Sequence, residues 1–272
     1  MSKVIVWMPH HLPYLTWHQE ISVRQCQRIL SDYPIHLACP EGMDVSAITA
    51  IVPNLKIDYF DKKWFISCES YNFLKMSKSF YERYSQYEYL LTYELDCFVY
   101  KDELFQWCEK KFDYIGAPWF EGYFSASLDA KILGVGNSGF SLRRIAACLD
   151  VLNSFNYGEY FKEKLAKNME KGGILSALRE EVKNYFLYRS KYGKVSMLGP
   201  IHEDGFWCQK VGEKIKSFRI ASVEDAISFS FEANPSRLYE KNNTQLPFGC
   251  HAWSLYNLEF WRPHIEAFGY KI

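Results

Sequence analysis

The motif Tyr93-Glu94-Leu95-Asp96 places two carboxylates directly after the apolar run of residues 87–93. Residues two apart in an extended chain point to the same side, so Glu94 and Asp96 can act on one ligand. The ends of strands in an α/β sheet are where ligands bind. Two carboxylates there can hold a hard divalent cation together with substrate phosphates. The alternative is structural, with Asp96 capping the turn after the strand.

A second acidic pair, Glu203-Asp204, opens a predicted helix over residues 203–216. Acidic side chains stabilise a helix N-terminus through the macrodipole, which is the structural interpretation. In the functional interpretation, Asp204 is a general base that removes a proton from an acceptor hydroxyl, and Trp207 is a platform nearby. Such a base must lie within hydrogen-bond reach of the hydroxyl, and a helix start beside a cleft can provide this.

A glycine-rich segment in the middle of the chain has the spacing of the dinucleotide-binding fingerprint, Gly134-x-Gly136-x-x-Gly139. That fingerprint requires a preceding strand, and none is predicted here. The segment is therefore either a generic turn or, together with Asn137 and Ser138, a wall that approaches a sugar ring closely.

Histidines could contribute to the same site. His251, in the block of residues 247–253, is either a hydrogen-bonded structural residue or a neutral imidazole that completes the coordination sphere begun by Asp96. His10 and His11 follow the first predicted strand and could lie near the ligand. No Ser-His-Asp or Cys-His arrangement is recognisable from spacing, although such triads are set in space rather than in sequence.

The composition bounds the class of protein. Lys+Arg and Asp+Glu both number 32 in 272 residues, and a chain without basic excess is not expected to bind nucleic acid. Eight scattered cysteines without a C-x-x-C pair predict reduced thiols in a cytosolic protein and no zinc or redox motif. No apolar run approaches the roughly 20 residues of a membrane span. The 18 % aromatic content fits either a ring-rich core or a cleft for sugars or bases.

Alternating apolar runs and helical patterns predict an α/β sheet with crossover helices. Strands are predicted at residues 4–7, 35–38, 56–60, 87–93 and 114–115. Helices are predicted at residues 17–30, 73–84, 103–111 (with Asp102 as N-cap), 160–167, 174–188, 203–216 and 223–229. A further helix is predicted after residues 140–144, ending at about residue 152. The tail of residues 246–272 shows little periodicity.

Several blocks of the sequence together resemble an uncharacterised bacterial family of GT-A-like glycosyltransferases. They occur in the expected order over nearly the whole chain, which makes the set more specific than any one block. The blocks are residues 21–26, 33–35, 39–42, 87–96, 112–119, 136–143, 203–204 and 247–253.

The resemblance implies an α/β fold with a GT-A-like, Rossmann-type mixed sheet flanked by helices. Residues 1–272 would form a single domain, with a nucleotide-binding half up to about residue 115 and an acceptor-binding half over about 116–272. The D-x-D position of the family falls on Glu94-Leu95-Asp96. Asp96 and His251 would then bind Mn²⁺ or Mg²⁺, while Glu94, in place of the usual first Asp, would face the ribose.

The same resemblance assigns the remaining site residues. Asn137, Ser138 and Gly139 would border the donor sugar and the acceptor. Asp204, with Glu203 beside it, would match the catalytic base of inverting members.

The implied function is a glycosyltransferase of hexosyltransferase type. It would move a sugar from a nucleotide-sugar, a UDP-sugar above all, to a hydroxyl of a glycan or lipid-linked saccharide. The resemblance places this reaction in polysaccharide biosynthesis, in the cytoplasm or peripherally at the inner face of the cell membrane. The alternative is a non-catalytic carbohydrate- or nucleotide-sugar-binding protein of the same fold, but a binder has no need of both Asp96 and Asp204. A nucleotidyltransferase is disfavoured because residues 8–14 lack a glycine-rich, basic signature.

Overall fold

The computed structural model describes residues 3–199 and 201–272, so that Met1, Ser2 and Pro200 of the predicted 1–272 domain lie outside the described residues. Eleven strands occur in these two ranges. They are β1 (Val4–Pro9), β2 (Ile35–Pro40), β3 (Lys56–Phe60), β4 (Tyr89–Tyr93), β5 (Phe98–Val99), β6 (Tyr114–Ile115), β7 (Pro118–Phe120), β8 (Ile132–Val135), β9 (Phe140–Arg144), β10 (Ser230–Phe231) and β11 (Gly249–Cys250).

Helices connect and flank these strands. They are α1 (Trp17–Leu30), α2 (Ser46–Thr49), α3 (Cys68–Lys75), α4 (Lys78–Arg83), α5 (Leu104–Glu109), α6 (Ile145–Ser154), α7 (Tyr157–Asn184), α8 (Ser190–Tyr192), α9 (Glu203–Gly205), α10 (Gly212–Lys214), α11 (Val223–Phe229), α12 (Pro235–Lys241) and α13 (Leu258–Glu266). A π-helical segment, Phe206–Val211, joins α9 to α10, so the predicted helix over 203–216 is present in this form.

Six strands form the central sheet in the order β3-β2-β1-β4-β9-β6. The first four are parallel, and β9 runs antiparallel to both β4 and β6. The chain builds outward from β1 on one side through β2 and β3, and on the other side through β4. Such a reversal of strand order opens a crevice at the carboxyl ends of the strands.

The alternation of β1 explains why the sheet is covered on both faces. Val6 and Met8 pack with residues of α1, whereas Ile5 and Trp7 pack on the opposite face with residues of α3 and α4. Helices on both faces of a mixed sheet confirm the predicted α/β fold. The sheet also joins the two predicted halves, since β9 follows residue 116 in sequence and lies beside β4.

Several local predictions were wrong. Residues 73–84 form two helices rather than one, because Ser77 caps a new helix after Lys75. Asp102 does not cap α5, because Glu103 is the N-cap residue of this helix. The carboxylate of Asp102 instead accepts a hydrogen bond from Tyr33.

Two further predictions failed where short-range patterns are weak. A strand, β8, precedes the glycine-rich segment and contains Gly134. The tail is ordered into α13, which buries Trp261 and Ile265 against β5 and its neighbours. Within the described residues, no helix combines the length and the apolarity needed to cross a bilayer.

Candidate active site

Two adjoining cavities lie beyond the carboxyl ends of β1 and β4. The larger has a volume of about 610 Å³ and the smaller of about 490 Å³. Cys68, Tyr71 and Glu94 contribute to the walls of both. His10 and His11, predicted near a ligand, line the smaller cavity, which the end of β1 borders.

Glu94, Asp96 and His251 form a cluster at the junction of the two cavities. Their candidate ligand atoms all lie within 4.8 Å of one another. His251 Nε2 is 3.2 Å from Asp96 Oδ1 and 3.6 Å from Glu94 Oε2. Glu94 and Asp96 directly follow β4, whereas His251 directly follows β11, so pairing of β11 with β5 brings the imidazole to the carboxylates.

The cluster fits a divalent cation on the evidence of its own polar atoms. Asp96 Oδ1 and His251 Nε2 are buried, and apart from their 3.2 Å contact with each other neither has a hydrogen-bond partner among the described residues. Buried polar atoms without partners are costly, so the pair either shares a proton or binds a positive ligand. Two carboxylate oxygens and an imidazole nitrogen form a donor set that suits Mn²⁺ or Mg²⁺ when substrate oxygens complete it.

The second ring nitrogen of His251, Nδ1, is held in place by Glu232. His251 Nδ1 lies 2.8 Å from Glu232 Oε1, the carboxylate–histidine arrangement that orients metal-binding imidazoles. Burial lowers the pKa of His251, but Asp96, Glu232 and Glu94 outweigh burial and raise that pKa well above its ordinary value. With its proton, the imidazolium offsets one of the two carboxylate charges of the Glu94–Asp96–His251 cluster, and a cation held by these residues would take the place of that proton.

The loop between β8 and β9 forms one wall of the larger cavity. Asn137 adopts a left-handed backbone conformation, and its side-chain oxygen accepts a hydrogen bond from the N–H of Phe140. A Cβ on Gly139 would lie 2.1 Å from His251 Nε2, so only glycine lets the imidazole lie against this loop. Asn137, Ser138 and Gly139 all line the cavity.

Asp204 lines the same cavity, whereas Glu203 lies beneath it with a fully buried side chain. Burial and then the charge of Glu203 raise the pKa of Asp204 to about 6. Burial also acts on Glu203, but Arg143 and Lys75 reverse its effect and lower the pKa of this carboxyl. Glu203 exposes no surface to the cavity, and its side chain acts on Asp204 through its charge.

Lys75 connects the two acidic pairs. Its Nζ is fully buried and lies 3.2 Å from Glu94 Oε1 and 3.1 Å from Glu203 Oε1. It also donates to Ser138 Oγ, and Tyr71 donates a 2.8 Å hydrogen bond to Glu94 Oε1. The buried lysine therefore fixes the spacing between the Glu94 cluster and the Glu203-Asp204 turn.

The aromatic platform is not the predicted one. Trp207 is fully buried between Tyr81 and Phe218 and does not reach the cavity. The rings that do line the larger cavity belong to four other elements of the sequence. They are Tyr71, Trp119, Phe120, Tyr123, Phe124 and Tyr256.

Sequence reasoning also missed Lys75 and Glu232. Glu232 follows a short apolar strand, as Glu94 does, and that signal was available. Lys75 ends an amphipathic helix like many surface lysines, so nothing in its local sequence marks it as buried.

Comparison with protein families gives one match. A family model described as a protein of unknown function, DUF5672, matches residues 54–251. This range contains every predicted site residue. No curated protein matches the sequence.

Comparison with solved structures gives similar folds at low identity. An active-site mutant of LgtC is 12 % identical, covers 91 % of this chain and 86 % of its own, and has a TM-score of 0.48. The galactosyltransferase LgtC in complex with donor and acceptor sugar analogues is 10 % identical, with 97 % and 95 % coverage and a TM-score of 0.47. A glycosyltransferase involved in glycosylation of the major capsid of PBCV-1 is 11 % identical, with 97 % and 98 % coverage and a TM-score of 0.42.

Proposed function

This chain belongs to the DUF5672 family of proteins of unknown function, and we propose that it is a glycosyltransferase. It transfers a hexosyl group from a nucleotide-sugar, a UDP-sugar above all, to a hydroxyl of a glycan or lipid-linked saccharide. The observation that carries the proposal is the placement of the Glu94–Asp96–His251 cluster and of Asp204 around one cavity.

Transfer from a nucleotide-sugar releases a diphosphate, and the Glu94–Asp96–His251 cluster supplies the means to bind it. Asp96 and His251 would hold Mn²⁺ or Mg²⁺, with Glu94 Oε2 beside them. When bound, the cation supplies charge neutralisation for the leaving diphosphate. Tyr71 and Lys75 fix Glu94 through its other oxygen, so the carboxylate is preorganised.

Asp204 supplies the second requirement, a base for the acceptor hydroxyl. With a pKa of about 6, this carboxylate is ionised at neutral pH yet basic enough to accept a proton. The N–H of Gly205 donates to Asp204 Oδ1 at 2.8 Å, which leaves the other oxygen for the acceptor. Direct attack by a hydroxyl that Asp204 deprotonates inverts the configuration at the anomeric carbon.

The exposed rings of the larger cavity favour saccharide ligands. Trp119, Tyr123 and Phe124 form a group on one wall, where the apolar faces of sugar rings can stack. Glu94 separates this wall from the smaller cavity at the end of β1, where the nucleotide is proposed to bind. The acceptor and donor would therefore meet at the Glu94 cluster.

A ligand panel tests the proposal on the full chain. The melting temperature would be measured with nucleoside diphosphates, nucleotide-sugars and free saccharides, each with Mn²⁺ and with EDTA. Ligand at a hundred times its Kd stabilises by about 2.7 kcal/mol, a rise of roughly 5–10 °C for a chain of this size. We expect one nucleoside diphosphate to give this rise with Mn²⁺ only, and we expect His251→Ala to abolish it.

The result that contradicts the proposal is equally definite. If no nucleotide or nucleotide-sugar changes the melting temperature, whether Mn²⁺ or EDTA is present, there is no donor site. A rise with saccharides alone would instead indicate the non-catalytic carbohydrate-binding protein. Release of nucleoside diphosphate on addition of an acceptor saccharide would then separate transfer from binding.

A further inference from the structure

Residues 157–192 form a helical hairpin outside the proposed active site. Helix α7 is interrupted at Gly173, which has a φ of 76°. Lys164 pairs with Glu181 at 2.9 Å and Asn168 donates to Glu180, so the two arms run side by side around Gly173. The second arm continues through a π-helical segment, Tyr185–Arg189, into α8.

The inner side of the second arm packs against the first arm and the rest of the molecule. Ala177 is buried, and Glu181 faces the first arm through its ion pair with Lys164. At the end of the arm, the rings of Tyr188 and Tyr192 pack against Phe73 beside the central sheet. The hairpin is therefore anchored to the molecule by this side.

The outer side of the second arm is apolar and uncovered. Helical spacing places Ile174, Leu178 and Val182 on one face. Leu175 and Phe186 are 75 % and 69 % exposed. The full set of exposed large apolar residues in this arm is Ile174, Leu175, Leu178, Val182, Tyr185, Phe186 and Leu187. A contiguous apolar surface of this kind on a soluble fold marks an interaction site.

The charge around this surface identifies the partner. The hairpin of residues 157–192 contains eight basic and five acidic residues, a formal charge of +3 in a chain whose total is zero. Arg179 and Lys183 are exposed and border the apolar face, since Arg179 lies four positions after Leu175 and Lys183 three positions before Phe186. In the described part of the chain, neither forms an ion pair with a carboxylate, so both charges are available to an anionic partner.

We propose that the apolar face of this hairpin docks on an anionic lipid bilayer. Leu175, Val182 and Phe186 enter the headgroup region, while Arg179 and Lys183 contact anionic headgroups. An exposed apolar helix face bordered by basic residues is the arrangement that binds at a membrane interface. A second copy of the chain fits less well, because it would bring an identical hairpin of charge +3 against the first.

Co-sedimentation of the full chain with vesicles tests this inference without reference to enzymatic activity. The vesicles would contain phosphatidylcholine alone or phosphatidylcholine with an equal amount of phosphatidylglycerol. We expect binding to the anionic vesicles that high salt weakens. We expect Leu175→Glu with Phe186→Glu, and separately Arg179→Glu with Lys183→Glu, to weaken it at least tenfold.

A matched variant controls for non-specific effects. Leu128 and Leu255 are equally exposed but lie outside the hairpin, so Leu128→Glu with Leu255→Glu is expected to bind as the unaltered chain does. All three variants change exposed residues and are expected to keep the melting temperature. The inference is overturned if the unaltered chain does not sediment with anionic vesicles, or if the control variant loses binding equally. It is also overturned if light scattering shows a dimer that Leu175→Glu with Phe186→Glu converts to a monomer.

Discussion

At Asp204, one carboxyl combines the proposed catalytic position with a cost to folding. Its pKa of about 6 in the folded chain exceeds the ordinary value of 3.8. A group whose folded pKa is raised contributes stability that is complete below the unfolded pKa and is lost as the pH rises through the folded pKa. At neutral pH the desolvated charge therefore destabilises the fold, by about 1–3 kcal/mol.

We predict that Asp204→Asn abolishes transfer, leaves donor binding intact and raises the melting temperature at pH 7 but not at pH 4. For the unaltered chain, transfer should rise with pH through about 6 as Asp204 ionises. The measurements are turnover against pH, donor titration and thermal unfolding at both pH values. Glu213→Gln, at an exposed position of the same helical segment, is the control that should change none of them. Near-normal turnover of Asp204→Asn would show that another group is the base.

Lys75 illustrates a different effect at the residue scale, because its charge is buried between two carboxylates. Lys75→Met would leave Glu94 and Glu203 close together without the cation between them. Removing one partner from a buried ion pair costs about 3–5 kcal/mol. We therefore expect a loss of this size in the free energy of unfolding, measured by denaturant titration.

Lys78 provides the matched control for that prediction. It lies three positions further along, and its ion pair with Glu82 is half exposed. Exposed pairs contribute about 0–1 kcal/mol, so Lys78→Met should have little effect. Equal losses for the two variants would mean that the buried network around Lys75 carries no special stability.

At the scale of elements, the loop between β8 and β9 sets the position of His251. Gly139 leaves the space that the imidazole occupies, and a Cβ there would clash with it. We predict that Gly139→Ala displaces His251 and weakens Mn²⁺ binding at least tenfold, measured by titration calorimetry. The physical reason is that the displaced imidazole no longer faces Asp96.

Gly158 is the control glycine for this element. It lies in the first turn of α7, where a Cβ would meet only Asn156 at an ordinary distance of 3.5 Å. Gly158→Ala should leave Mn²⁺ binding unchanged and stabilise the helix slightly. Unchanged Mn²⁺ binding by Gly139→Ala would show that His251 is not a ligand.

At the scale of the whole molecule, four distant stretches of sequence meet at one end of the central sheet. Residues 94–96 follow β4, and the antiparallel pairing of β9 with β4 brings residues 137–139 beside them. The parallel pair β10 and β11 then adds Glu232 and His251 from the C-terminal part. Asp204 arrives on the helical segment that packs under β9 through Glu203 and Arg143.

This assembly draws its residues from both predicted halves of the chain. The candidate cation ligands come from both halves, and so do the walls of the larger cavity. The antiparallel strand β9 is the physical link, because it belongs to the second half yet completes the sheet of the first. The hairpin of residues 157–192 is the part of the molecule whose apolar side no other element covers.

The sequence by itself determined part of the local elements and the type of fold. Helix α1, β3 and α11 have the predicted bounds, because their apolar residues recur with clear periods and turns delimit them. The position of Glu94 and Asp96 at the carboxyl end of the sheet was predictable for the same reason, since the buried strand β4 ends at these carboxylates. The resemblance then ordered the distant blocks, and Asp96, His251, Asn137 and Asp204 are found around one site.

Only the tertiary structure decided which of these side chains face the cavity and which lie beneath it. Glu203 and Asp204 are adjacent in sequence, yet packing against Arg143 and Lys75 buries the first and leaves the second at the cavity wall. Trp207 is buried for a similar reason, because its side of the helical segment faces Tyr81 and Phe218. Periodicity assigns a residue to a helix face, but the neighbour that covers that face comes from a distant part of the chain. Burial, and with it the charge state of each group, therefore depends on contacts that no local pattern records.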